Sequence, residues 1–308
     1  MATGAIPRRS AATEAVERRL RGGGFDVSSV IIEGALLLSL MISLGVLLVL
    51  IGDIFVRALP VLLDRPLDFL TSPLSARPEN AGIAQGLVGS LMLIVIVILL
   101  SLPFGVGAAI YLEEYAPDTG LSRFIRTNIR NLAGVPSIVF GLLGLAVFVT
   151  LVGLGNTLMA GGLTLAVLVL PIVVITSSEA LRAVPTTIRE AAFGVGATRW
   201  ETVRSHVLPY AAPGILTGTI LSLARAFGET APLIMVGAIV GTFSFMGSPI
   251  EQLMEQFTAL PTIVYNWSRE PQDAFRALTA AAIVVLLVVI LLVNAIAIWL
   301  RNRFERRW

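Results

Sequence analysis

The sequence predicts an all-α integral membrane protein with six transmembrane helices, and three observations carry that prediction. First, 56% of its 308 residues are hydrophobic and only 14% are charged, where a soluble domain carries roughly 25% charged residues. Second, six stretches are long and apolar enough for a helix to cross the hydrocarbon, which takes roughly 20 residues. Third, the arginines are distributed unevenly across those stretches. Sixteen fall in the tails and loops on one side, five on the other, and Arg225 lies inside a span. The positive-inside rule then places both termini in the cytoplasm. All 22 basic residues are arginine and there is no cysteine, which excludes thiolate metal sites, thiol catalysis and disulfides.

Taken in order, residues 1–28 read as a short cytoplasmic tail. Arg8-Arg9 is followed by the charged run TEAVERRLR, where a twin-arginine signal needs an apolar core. The first span covers 29–52, with Glu33 near enough to its start to reach the interface. An extracytoplasmic loop, 53–82, leads to a membrane core, 83–300, with spans at 84–112, 131–152, 157–178, 211–241 and 276–300. GLGN makes a tight turn between the third and fourth, and Gly134, Pro136 and Ser137 mark a hinge or packing kink in the third. The outer segment 242–275 is long and amphipathic, carrying Glu251, Glu255, Glu270 and Asp273. It either caps a pathway or receives a soluble partner. Tyr265 and Trp267 near one face, and Trp299 and Trp308 near the other, suit aromatic belts, and 301–308 is a second cytoplasmic tail.

The loop between spans four and five, within 183–209, holds two Thr-x-x-Glu capping boxes: Thr187 with Glu190 and Thr198 with Glu201. Each predicts a short helix. Gly194 and Gly196 separate the two, and Pro209 is expected to stop the second. Ala191 and Ala192 leave one face nearly bare, so two readings stand: the helices pave the membrane surface, or another surface docks on them.

Glu190-Ala191-Ala192, followed by Gly196 and then Leu208-Pro209, resembles the EAA signature of ABC importer permeases. That resemblance implies a type I importer fold and a coupling helix seated on an ATPase subunit, with Arg189, Glu190, Ala191, Ala192 and Gly196 at the contact. His206 departs from the family pattern, which usually has an aliphatic residue there. Further stretches resemble one subfamily, the PstA-type permeases of phosphate importers: LPFGVGAAIYLEEYAP, AGVPSIVFGLLGL, RAFGETAPLI and FTALPTIVYNW. The match runs from about Gly82 to the C-terminus. Ile175 stands where that subfamily often has a basic residue. The resemblance implies a bacterial plasma-membrane location and, as partners, a PstB-type ATPase dimer, a PstC-type sister permease and a PstS-type binding protein. ATP and Mg would be bound by the ATPases, with no cofactor, metal or catalytic residue in this chain and no nucleic-acid partner.

The fifth span contains Arg225 and Glu229 at i, i+4, one helical face apart by a single turn, with Pro232 three residues on. An arginine at the bilayer centre costs about 2.5–3.5 kcal/mol on insertion scales, so it is expected to face the protein interior. Pro232 removes the bond to the Gly228 carbonyl, which predicts a kink at Gly228 beside the pair. Thr230 adds a hydroxyl. The pair either lines an anion pathway or pins span five to its neighbours. For function, the leading expectation is phosphate passage coupled to a partner's ATP hydrolysis, since a Walker loop needs lysine and none is present. Sulfate or molybdate passage, a proton-coupled transporter using Glu229, and an intramembrane enzyme acting on lipid phosphates are the alternatives.

Overall fold

A computed structural model describes residues 27–238 and 249–304. Most of the expected N-terminal tail, the stretch 239–248 and the last four residues lie outside the described residues. Within them the structure is helical, and its one extended pairing is an isolated bridge between Thr157 and Gln256.

Helix α1 spans Val27–Asp64 and so runs well past the expected end at 52, with Pro60 inside it. The chain divides at Asp53 into two units. In the first, Ile31, Leu38 and Val49 are all exposed, and an apolar surface on every side is the signature of a lipid-embedded helix. The second unit begins with the rest of α1 and the short α2 (Pro66–Thr71), so the expected outer loop is largely helical. Then follow α3 (Ala84–Ile110), widening into a π turn at Tyr111–Tyr115, and α4 (Gly120–Ala133). Next come α5 (Ser137–Gly144), which continues as a π-helical stretch to Leu151, and α6 (Leu158–Arg182). The loop helices are α7 (Thr186–Gly194) and α8 (Arg199–Thr202). Last are α9 (Leu208–Phe227), α10 (Ala231–Val236), α11 (Pro249–Leu253), α12 (Leu260–Trp267) and α13 (Ala274–Phe304). Among the described residues five helices can cross a membrane, or six if the bent pair α4–α5 is one span.

That bend corrects the third span. The segment expected as one helix over 131–152 is broken at Gly134–Pro136, where the path from Gly120–Ala133 into Ser137–Leu151 bends by 102°. Pro136 has no N–H to donate back and forces Val135 away from helical geometry. It then serves as the N-cap of α5 with extended backbone (ψ 138°). The GLGN turn forms as expected, with Gly153 and Gly155 at positive φ.

Three apolar clusters hold the second unit together. One joins the end of α1, α2, α12 and α13, where Phe69, Trp267 and Phe275 stack at centroid distances of 6.4 and 5.8 Å. The central cluster packs Leu93 and Val97 of α3 against Leu165 and Val169 of α6 and Leu223 of α9. A third closes the end that carries the loop helices, from Ala109 and Leu112 to Val207 and Ile215.

Candidate functional site

Helix α9 ends at Phe227. Gly228 caps it, the Gly228 N–H reaching Arg225 O at 3.1 Å and the Glu229 N–H reaching Ala226 O at 3.2 Å. Thr230 is the N-cap of α10, and Pro232 lies in that helix's first turn, where a missing N–H costs nothing. The kink expected at Gly228 is therefore a full interruption: one helix ends at Phe227, the next begins at Ala231, and Pro232 sits where its missing N–H breaks no bond. Backbone carbonyls next to such a break need a polar neighbour or a cavity at membrane depth.

Arg225 Nε donates to Glu229 Oε1 at 3.3 Å, so the i, i+4 pair forms. Within this chain the two side chains lie at different depths. Arg225 is 54% exposed and Glu229 16%, because Leu223, Ala226 and Phe227 take the inward face of α9 and fill the core. Arg225 and Leu221 instead share a face that this chain leaves open. Thr230 is half-buried at the break, and its side chain makes no capping bond.

In the loop, the capping box of Thr198 and Glu201 is present in full. The one expected at Thr187 is not. Helix α7 starts one residue earlier, at Thr186, behind Pro185, whose fixed backbone supplies the entry without a side-chain bond. Pro209 also fails to stop the second helix. The chain stays helical from α8 through a wide turn, Val203–Val207, into α9, with Pro209 in the first turn of α9. A π turn shifts the hydrogen-bond register, so the proline is accommodated there. Glu190 and Ala191 are exposed, whereas Ala192 is buried. Gly196 is exposed at φ +88°, a conformation other residues rarely adopt. Around them Phe193, Trp200 and Val195 (86% exposed) present apolar surface. Such a cluster on an otherwise charged loop suits a protein contact.

The binding-protein-dependent transport system inner membrane component family matches residues 101–308. This chain belongs to that family.

Among relatives, the probable ABC transporter permease protein YqgI of Bacillus subtilis (strain 168) is 40% identical over 171 residues. That match covers 56% of this chain and 58% of YqgI, so the chain spans less than two thirds of that relative. The phosphate transport system permease protein PstA of Xylella fastidiosa (strain Temecula1) is 32% identical over 241 residues, 77% of this chain and 81% of that one. The crystal structure of a bacterial alginate ABC transporter, in complex with its pentasaccharide-bound periplasmic protein, matches with a TM-score of 0.66. At 15% identity, that match covers 91% of this chain and 97% of that one, and it shows the fold. The permease is thus an integral, multi-pass, non-catalytic membrane subunit.

Two glutamates that the sequence reading passed over organise the loop end of the permease. Glu113 and Glu114 sit in the π turn after α3. Glu113 accepts from Arg182 at 2.7 and 2.9 Å and also pairs with Arg126, joining α3 to α6 and α4. Glu114 accepts from Arg189 Nη2 at 2.6 Å, and Arg189 also donates to the carbonyls of Val184 and Leu181 at 2.8 and 3.0 Å. Arg189 is thus turned inward, strapping α7 to α3 and α6, while Glu190 and Ala191 face out. The signal was available: two acids end an apolar span whose neighbouring loops are rich in arginine.

Part of the described outer segment packs into the chain. Phe257, Thr258, Ala259, Leu260 and Ile263 are fully buried. The Leu260 N–H donates to Ser90 Oγ at 2.9 Å. A β-carbon at Gly89 would collide with Thr258 O, and one at Gly86 with Ile263. Missing side chains on α3 therefore make the notch that α12 enters, and 268–274 is the longest exposed run in the described part of the segment.

Proposed function

We propose that the permease carries inorganic phosphate across the bacterial plasma membrane as the PstA-type subunit of an ATP-driven importer, with both termini in the cytoplasm. The carrying observation is the Arg225–Glu229 pair beside an interrupted helix, on a face of α9 left open by this chain. A charged side chain at membrane depth needs a protein or aqueous environment, and a PstC-type sister permease would supply one across that face. Arg225 then offers its planar fork to phosphate oxygens. Glu229 holds Arg225 between passages, which avoids a lone charge and keeps the anion from binding too tightly to leave. Thr230 contributes a hydroxyl at the break.

The same carboxylate favours phosphate over sulfate. Phosphate near neutral pH still carries a proton and can donate it in a hydrogen bond to Glu229, whereas fully ionised sulfate only repels it. The likeness to PstA of Xylella fastidiosa supports the substrate from an independent direction. Through Glu190, Ala191 and the apolar residues around Gly196, the loop would seat on a PstB-type ATPase that binds ATP and Mg. A PstS-type protein would deliver phosphate on the outer side.

The test is ATPase activity of the reconstituted permease–ATPase complex with its binding protein, phosphate against sulfate. Phosphate alone is expected to stimulate it. Stimulation by sulfate, or uptake that follows a proton gradient without ATP, overturns the substrate or the coupling respectively.

A further inference from the structure

Helix α4 has a composition that neither the pathway nor the docking loop uses. Its sequence, GLSRFIRTNIRNLA, contains three arginines and no acid. Wound at 100° per residue, Leu121, Phe124, Ile125 and Leu132 fall on one face, and Arg123 and Arg130 on the opposite one. All four apolar side chains are exposed to a large degree. The flank between these two faces holds α4 to the rest of the chain: Ser122 is buried there, and Arg126 pairs with Glu113. Arg123 meets only the well-exposed Asp118, at 3.2 Å, and Arg130 has no ion pair among the described residues. The helix is held on its side, with an apolar face and a basic face both left open.

Its direction says what covers them. The α5 arm is apolar and packs along α6, a helix long enough to span, and α4 departs from that arm by a bend of 102°. A helix at nearly a right angle to a span runs along the membrane plane. At that depth an apolar face meets acyl chains, while the opposite basic face meets water and headgroup phosphates. We propose that α4 is an interfacial helix that docks on anionic phospholipid at the cytoplasmic face. Arg123 and Arg130 attract headgroup phosphates, and Leu121, Phe124, Ile125 and Leu132 sit among the acyl chains. The Glu113–Arg126 and Glu113–Arg182 bonds then tie that lipid contact to α3 and α6, next to the strap on the docking loop. The assignment of side rests on the orientation proposed above; the interfacial placement does not.

The absence of cysteine makes the test direct. Single nitroxide labels at Phe124→Cys and Thr127→Cys would be read in the full assembled transporter. The vesicles would be phosphatidylcholine with or without phosphatidylglycerol. The label at 124 should respond more to oxygen than to a water-soluble nickel chelate, and the label at 127 the reverse. Phosphatidylglycerol retained by the purified complex should fall about fivefold for each of Arg123→Gln and Arg130→Gln, and should be preserved in Arg123→Lys with Arg130→Lys. Labels at 124 shielded from both relaxants would mean that a protein subunit covers the face, and would overturn the proposal. Chelate preference at both positions, or equal retention of the two lipids by wild type, would overturn it as well. Soluble phosphate competing for the arginines, with no lipid selectivity, would assign them to the transported anion instead.

Discussion

Arg225 is where electrostatics and position meet most sharply. Its fork is 3.3 Å from Glu229 and open on the other side, so a variant that keeps size but loses charge isolates its role. Arg225→Gln is expected to reduce phosphate uptake about 10- to 100-fold, the equivalent of one charge-assisted hydrogen bond. The complex should still assemble, as co-purification of the ATPase will show. Normal uptake would remove Arg225 from the pathway. Glu229→Gln should instead blunt the preference for phosphate over sulfate, measured by competition. Glycines give a second contrast at this scale. Gly89→Ala places a methyl against the Thr258 carbonyl and is expected to cost about 1–3 kcal/mol. Gly107→Ala meets nothing within 4 Å in the same helix and should gain about 0.5–1 kcal/mol. Thermal melts of the two in one detergent decide both.

Between elements, the strap from Glu114 to Arg189 links the α7–α8 loop to α3. Both groups are largely buried, at 9% and 20% exposure, so losing one strands the other. Glu114→Gln is expected to weaken the loop by about 1.5–3 kcal/mol and to lower ATP-driven uptake more than ATPase binding. A double-mutant cycle with Arg189→Gln checks that the two act as one unit. Elements are also where the sequence was most and least informative. The long apolar helices, the GLGN turn and the Thr198 box were legible because periodicity and turn chemistry are local. The ends near proline were misjudged, since a proline breaks, starts or joins helices according to its neighbours: it interrupts at Pro136 and Pro232 but is absorbed at Pro209. Burial of 257–263 was invisible for a different reason. Its partners, Gly86, Gly89 and Ser90, are distant in sequence, and an empty notch leaves no periodic trace. Which residues of this chain pack beside Arg225 was not legible either, because hydropathy marks a charge within a span without saying which neighbours claim the inward face.

For the permease as a whole, the open face of α9 makes a prediction about assembly. Leu221 is exposed one turn before Arg225, and the chain has no cysteine of its own. Leu221→Cys should react with a maleimide in the isolated permease and become protected once a second permease is present. Unchanged labelling in the complete transporter would place the partner, and the pathway with it, elsewhere. The buried α12 bears on how such a molecule is made. Eight residues are too few to enter the bilayer as a span, and the cluster around Trp267 needs Phe275 and Leu278 of α13, which leave the ribosome afterwards. During synthesis, then, the FTALP stretch emerges when its notch beside Gly89 is already made, while the Trp267 end stays open until α13 follows. A chain cut short before α13 would be threaded through the membrane but never sealed, a state that quality-control proteases are equipped to find.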